Sequence, residues 1–165
     1  MGAWGVKALE SDTGLDFLID VEYYIKDKLN DQHKASITLS EIITLAKKTD
    51  WLNQNSDDCN SDDLDYTYDS TAMAIVETYL NYHRKEGLEA YLDEEETIHL
   101  WRDCVVEFLA DEASLTYLLQ HLTAMQQSQT DEREYVELWR ESNSWNEWLN
   151  HLETLITAIK NELAK

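Results

Sequence analysis

At 165 residues and 43% hydrophobic, with six Trp and nine Tyr, the chain has the length of one domain and enough apolar surface for a full core, which excludes the acidic, aromatic-poor disordered class. Its 34 Asp and Glu against 13 Lys and Arg give a formal charge of −21, so phosphate backbones and anionic lipid surfaces repel it and a cationic partner is favoured. No apolar run approaches the ~20 residues of a membrane span and no basic-then-apolar leader opens the chain. The two cysteines, Cys59 and Cys104, are too few for a disulfide framework, so free thiols and a cytoplasmic location are expected.

Residues 1–11 read as an irregular, glycine-bracketed arm whose Trp4 is expected to dock into the core. A helix follows from Asp12 or Thr13, with Leu15, Leu18, Val21, Ile25 and Leu29 recurring at helical steps. Thr38-Leu39-Ser40-Glu41 has capping-box spacing and starts a second helix through Ile42, Ile43, Leu45 and Ala46 to about Trp51. Residues 53–69 read as an acidic loop. Ser70, or a residue before it, opens a third helix bearing Met73, Ile75, Val76, Tyr79, Leu80 and His83, with Gly87 available as its left-handed cap.

Asp93-Glu94-Glu95-Glu96 sets carboxylates over the positive end of a fourth helix, predicted to run to about Ala110 with Ile98, Trp101, Val105, Phe108 and Leu109 on one side. Ser114 is the predicted cap of a fifth helix, which buries Leu115, Leu118, Leu119, Leu122 and Met125. Thr130 or Asp131 starts a sixth, holding Tyr135, Val136, Leu138 and Trp139, and Ser144-Trp145-Asn146-Glu147 is a capping box for the last. That helix is expected to carry Trp145, Trp148, Leu149, Leu152, Leu155, Ile156, Ile159 and Leu163 on one side. With no proline and few alternating runs, the expected fold is all-α: a single domain, 1–165, built as an irregular antiparallel bundle of about six or seven helices.

Charge is concentrated in residues 53–112, where 17 acids and 3 bases leave −14 of the −21. Asp58 to Asp69 resembles a calcium loop in outline, but Asp63 stands where the sharp turn needs glycine, and Asp69 is shorter than the bidentate glutamate of the last ligand position. Glu96, His99 and Asp103 have half of a di-iron helix motif, with no second copy elsewhere. They leave a metal-dependent enzyme or metal-binding helical protein as an alternative. His33, His83, His121 and His151 are scattered, and Glu147 with His151 reads as a surface pair one helical turn apart. No phosphate-cradling glycine loop exists. The expectation is a non-enzyme without cofactors.

Tyr66 and Tyr68 among Asp57, Asp58, Asp62, Asp63, Asp65 and Asp69 combine contact area with carboxylates able to meet Lys and Arg. These eight residues, with Asp93, Glu94, Glu95 and Glu96 as a second patch, are the candidate partner-binding site. The expected partner is a basic protein, for instance a toxin or a nucleic-acid-processing enzyme whose basic surface is masked in the manner of an immunity protein. Direct binding to nucleic acid or membrane is not expected. A helical scaffold with a solubilising acidic surface is the remaining alternative.

The opening Met1-Gly2-Ala3-Trp4-Gly5, the acids Glu10 and Asp12, and the late stretch Val136-Glu137-Leu138-Trp139-Arg140-Glu141-Ser142 followed by Trp148-Leu149 resemble an uncharacterised bacterial family, domain of unknown function 4259. The resemblance implies a bacterial, cytosolic, helical domain and transfers no catalytic residue. Ser11-Asp12-Thr13-Gly14 departs from the family's Asp-Asp-Ala type of helix start. Trp4 and Trp139 are expected to be large anchors that meet in the core.

Overall fold

The computed structural model describes residues 3–52, 66–85, 103–129 and 132–165. In chain order these form a 3₁₀ turn Ala8–Glu10, α1 (Asp12–Lys28), β1 (Lys34–Thr38), α2 (Leu39–Lys48), α3 (Tyr66–Arg84), β2 (Val105–Leu109), α4 (Glu112–Gln127), α5 (Glu134–Glu141) and α6 (Trp145–Leu163). The protein is mostly helical, as expected. It is not all-α, because β1 and β2 pair in parallel from Lys34↔Val105 to Thr38↔Leu109.

This pairing corrects the fourth predicted helix, whose end is strand β2. Val105, Phe108 and Leu109 satisfy a helical period, yet the β-branched pair Val105-Val106 and a partner strand 71 residues away decide the matter. Both strands then alternate: Ala35 and Ile37 face the core from β1 and Phe108 from β2, while Lys34, Ser36, Val105, Glu107 and Leu109 face outward. A parallel pair needs a long crossover, which the chain containing α2 and α3 supplies.

Helix α3 is the axis of the fold. Every residue from Tyr68 to Leu80 is buried, and so is Tyr82. A helix buried on all sides must lie inside the other elements, and α1, α2, α4, α5, α6, β2 and the 3₁₀ turn all contact it. Small side chains at Ser70, Thr71, Ala72, Ala74 and Thr78 let those neighbours approach. Phe17, Leu18, Val21 and Ile25 of α1, Leu118, Leu122 and Met125 of α4, and Trp148, Leu152, Ile156 and Ile159 of α6 complete the core. Each fully buried side chain of this size contributes about 1.5–3 kcal/mol relative to exposure.

Helix starts follow local chemistry. The Ser11 hydroxyl oxygen accepts the Gly14 N–H at 3.1 Å and donates to the Ala8 carbonyl at 2.6 Å. A Cβ at Gly14 would stand 2.0 Å from that same carbonyl oxygen, so glycine is required for α1 to lie against the 3₁₀ turn. Thr38 and Glu41 form the expected capping box, at 3.2 and 2.7 Å. Asp111, not Ser114, caps α4: its carboxylate accepts both the N–H and the hydroxyl of Ser114, at 2.9 and 2.7 Å. Ser144 makes no side-chain cap bond to α6, and α5 begins at Glu134, after Thr130 and Asp131. Lys85, at φ 55°, takes the left-handed turn after α3; Gly87 lies outside the described residues.

Trp4 is 59% exposed, so the expected anchor is not one. The arm fixes its own backbone through Trp4 N–H to the Glu10 carbonyl at 3.0 Å and the Ala3–Ser11 bridge, and turns Ala8 and Leu9 inward instead. Trp139 does not meet Trp4 but stacks on buried Trp148, with centroids 6.2 Å apart; Trp145 stacks with Trp148 at 5.3 Å. No described helix is long and apolar enough to cross a membrane.

Candidate functional site

Three carboxylates are buried among the described residues, Glu22, Asp69 and Glu77, and each is tied to the scaffold. Glu77, near the middle of α3, accepts the backbone N–H groups of Ala8 at 2.9 Å and Leu9 at 2.8 Å, and meets His151 Nε2 of α6 at 2.7 Å. It thereby caps the 3₁₀ turn and joins three elements. His151 is therefore a partner of Glu77, not the surface partner of Glu147. Linear sequence hid this contact because the two residues lie 74 positions apart.

Glu22 of α1 accepts the hydroxyl of Tyr82 from α3. Burial pushes its carboxyl up to about 7, against the smaller opposing effect of the Tyr82 bond. Burial also raises the Tyr82 hydroxyl, and the Glu22 charge adds to this. Cys104, half-buried and not in a disulfide, has its thiol pushed up by burial and by the nearby Asp103 and Glu22 charges. That is the opposite of the lowered pKa that activates a cysteine nucleophile.

The described part of the predicted binding loop proves to be an anchor. Tyr66 starts α3; its ring meets Tyr135 edge-on at 4.9 Å, and its N–H donates to Glu134 at 3.1 Å. Tyr68 is buried with its hydroxyl 2.7 Å from His121 Nε2. Asp69 is fully buried and ion-paired with Arg133 at 2.5 Å. Burial raises the Asp69 carboxyl to about 6 although Arg133 opposes the rise. Tyr68 and Asp69 are thus withdrawn from the candidate surface, because α3 begins four residues before Ser70 and its period carries both inward. Asp57, Asp58, Asp62, Asp63 and Asp65 lie outside the described residues, as do Asp93, Glu94, Glu95 and Glu96.

Burial brings the His121 imidazole down to about 4, with smaller contributions from the Arg133 and Lys47 charges; it is neutral at pH 7. Of the alternative metal residues, Glu96 and His99 lie outside the described residues, and Asp103 is exposed. Glu107, four residues after Asp103, is on β2 and accepts the Ser36 hydroxyl at 3.2 Å. Among the described residues no group of three His, Cys, Asp or Glu is placed to hold a metal ion.

The outer side of α1 carries a second stripe, opposite the buried one. Asp12, Asp16, Ile19, Tyr23, Lys26 and Asp27 are exposed, and their spacing sets them within about 100° of arc. Ile19 and Tyr23 are two of the exposed large hydrophobics of the protein. The available sequence signal was that these two apolar residues fall off the core stripe. Fold and surface together define a mostly helical, strongly acidic protein whose buried carboxylates hold the scaffold. In comparisons with known proteins, no protein family, curated protein or solved structure matches the chain.

Proposed function

We propose that this is an acidic protein-binding protein, immunity-like in manner, that masks a basic surface of a partner protein. The observation that carries this reading is the combination of charge and burial. The described residues hold 22 of the 34 acids against 12 of the 13 bases, and only three of those acids are buried. An exterior of this sign accelerates encounter with a basic surface and repels acidic competitors. Membership of the domain of unknown function 4259 family, carried by the residues at the two ends of the chain, and a bacterial cytoplasmic setting belong to the same proposal.

Affinity capture from the host's lysate at low and moderate salt, with Asp62→Asn/Asp63→Asn/Asp65→Asn for comparison, tests it. The expected result is one stoichiometric basic protein whose retention falls with added salt and with the triple substitution. Capture of no basic protein, or of one held equally at both salt levels and by both forms, overturns the reading.

A further inference from the structure

We infer that the outward face of α1 is a docking surface for a cationic amphipathic helix of the partner. The inference rests on the protein-binding reading and assigns it a place. The face has the form such an occupant needs. From Asp12 to Asp27 the stripe rises about 22 Å, roughly four turns. At its centre Ile19 and Tyr23, one turn apart, are 42% and 55% exposed. Asp12 and Asp16 stand on one side of this apolar pair along the axis and Asp27 on the other, against the single cation Lys26 on the stripe. An apolar ridge with acids at both ends complements a helix carrying aliphatic residues at i and i+4 with Lys or Arg beyond them. Packing of the apolar pair gives affinity, and the flanking aspartates select a basic sequence over a neutral one.

Two further features converge on this helix. Trp4, 59% exposed, is held at its start, where Ala3 bridges to Ser11 and the Trp4 N–H meets the Glu10 carbonyl. The residues bracketing the acid-rich run 53–65 also meet α1. Trp51 Nε1 donates to Asp20 at 2.8 Å, and the Tyr66 hydroxyl lies against Ser11 beside Asp12. Leu138, another exposed apolar residue, also has acids on its side of α5, Glu134 and Glu141, but stands alone, with no second exposed apolar residue one turn away.

The probes are two labelled peptides of equal charge, one an amphipathic Lys/Leu helix of about four turns and the other oligolysine, titrated by fluorescence anisotropy at low salt. The variants are Ile19→Ser/Tyr23→Ser, Asp16→Asn/Asp27→Asn and, as control, Leu138→Ser, each checked for native circular dichroism and melting. The wild type is expected to bind the amphipathic peptide about tenfold or more tightly than oligolysine. Ile19→Ser/Tyr23→Ser should remove that preference and leave oligolysine binding within about twofold, whereas Asp16→Asn/Asp27→Asn should weaken both. Leu138→Ser should change neither. Equal binding of the amphipathic peptide by wild type and Ile19→Ser/Tyr23→Ser, or no preference over oligolysine in the wild type, overturns the α1 assignment. It leaves the general acidic-binder reading intact. Failure of oligolysine to bind at all overturns that general reading instead.

Discussion

Replacing Glu77 with alanine removes the acceptor of three groups at once: the N–H groups of Ala8 and Leu9, and His151 Nε2. Hydrogen bonds to a charged acceptor contribute about 1.5–3 kcal/mol each, and a buried donor left without a partner costs about 1–3 kcal/mol. The full sum is not reached, because the arm can lift and let water reach the two amides, at the expense of the packing of Ala8 and Leu9. We therefore expect Glu77→Ala to cost about 3–5 kcal/mol, the range for breaking a buried polar pair from one side. Glu77→Gln, which keeps the shape and one acceptor oxygen, should lose about half of that. Urea unfolding followed by tryptophan fluorescence gives both values, and a cycle with His151→Ala isolates the pairwise part, expected at about 1–3 kcal/mol. Glu77→Ala within about 1 kcal/mol of wild type, or a coupling near zero, would refute the role of Glu77 as the joint between the arm, α3 and α6.

The Glu22 carboxyl, raised to about 7 from an ordinary 4.5, binds its proton more tightly folded than unfolded. Its contribution is complete below about 4.5 and is lost as pH rises through 7, an effect of about 3 kcal/mol. Unfolding at pH 5 and pH 8 should show Glu22→Gln gaining on wild type by about that amount at the higher pH; parallel pH curves for the two proteins contradict it. Arg133→Ala strands the fully buried Asp69 charge and should cost about 3–5 kcal/mol, while Asp69→Asn/Arg133→Met should recover most of the loss; a double variant as unstable as the single one would oppose this. Gly14→Ala improves helix propensity by about 1 kcal/mol, yet its Cβ would stand 2.0 Å from the Ala8 carbonyl oxygen, so net destabilisation of about 1–3 kcal/mol is expected in thermal melts. A raised Tm in that variant would contradict the close approach.

What could be read from the sequence was what short-range periodicity and caps encode. The α1 stripe of Leu18, Val21 and Ile25, the Thr38–Glu41 box and the α6 face from Trp148 to Ile159 all stand where their spacing set them. The strands were missed because Lys34–Thr38 and Val105–Leu109 are short and gain their stability only from each other across the intervening chain. Tyr68 and Asp69 looked like surface residues because their partners, His121 and Arg133, come from α4 and the start of α5, distances over which local pattern carries no information. Buried ion pairs of this kind reverse the usual rule that charge marks the outside. The α1 exterior was legible in principle, as two apolar residues displaced from the core stripe, but the core reading left no place for them.

Isothermal titration of the captured partner across a series of salt concentrations shows whether the protein acts through its acidic exterior, as proposed. The affinity should fall steadily as salt screens the charges, with a shallower dependence for Asp16→Asn/Asp27→Asn. An affinity indifferent to salt, or a salt dependence unchanged by those substitutions in a partner that still docks on α1, would contradict it.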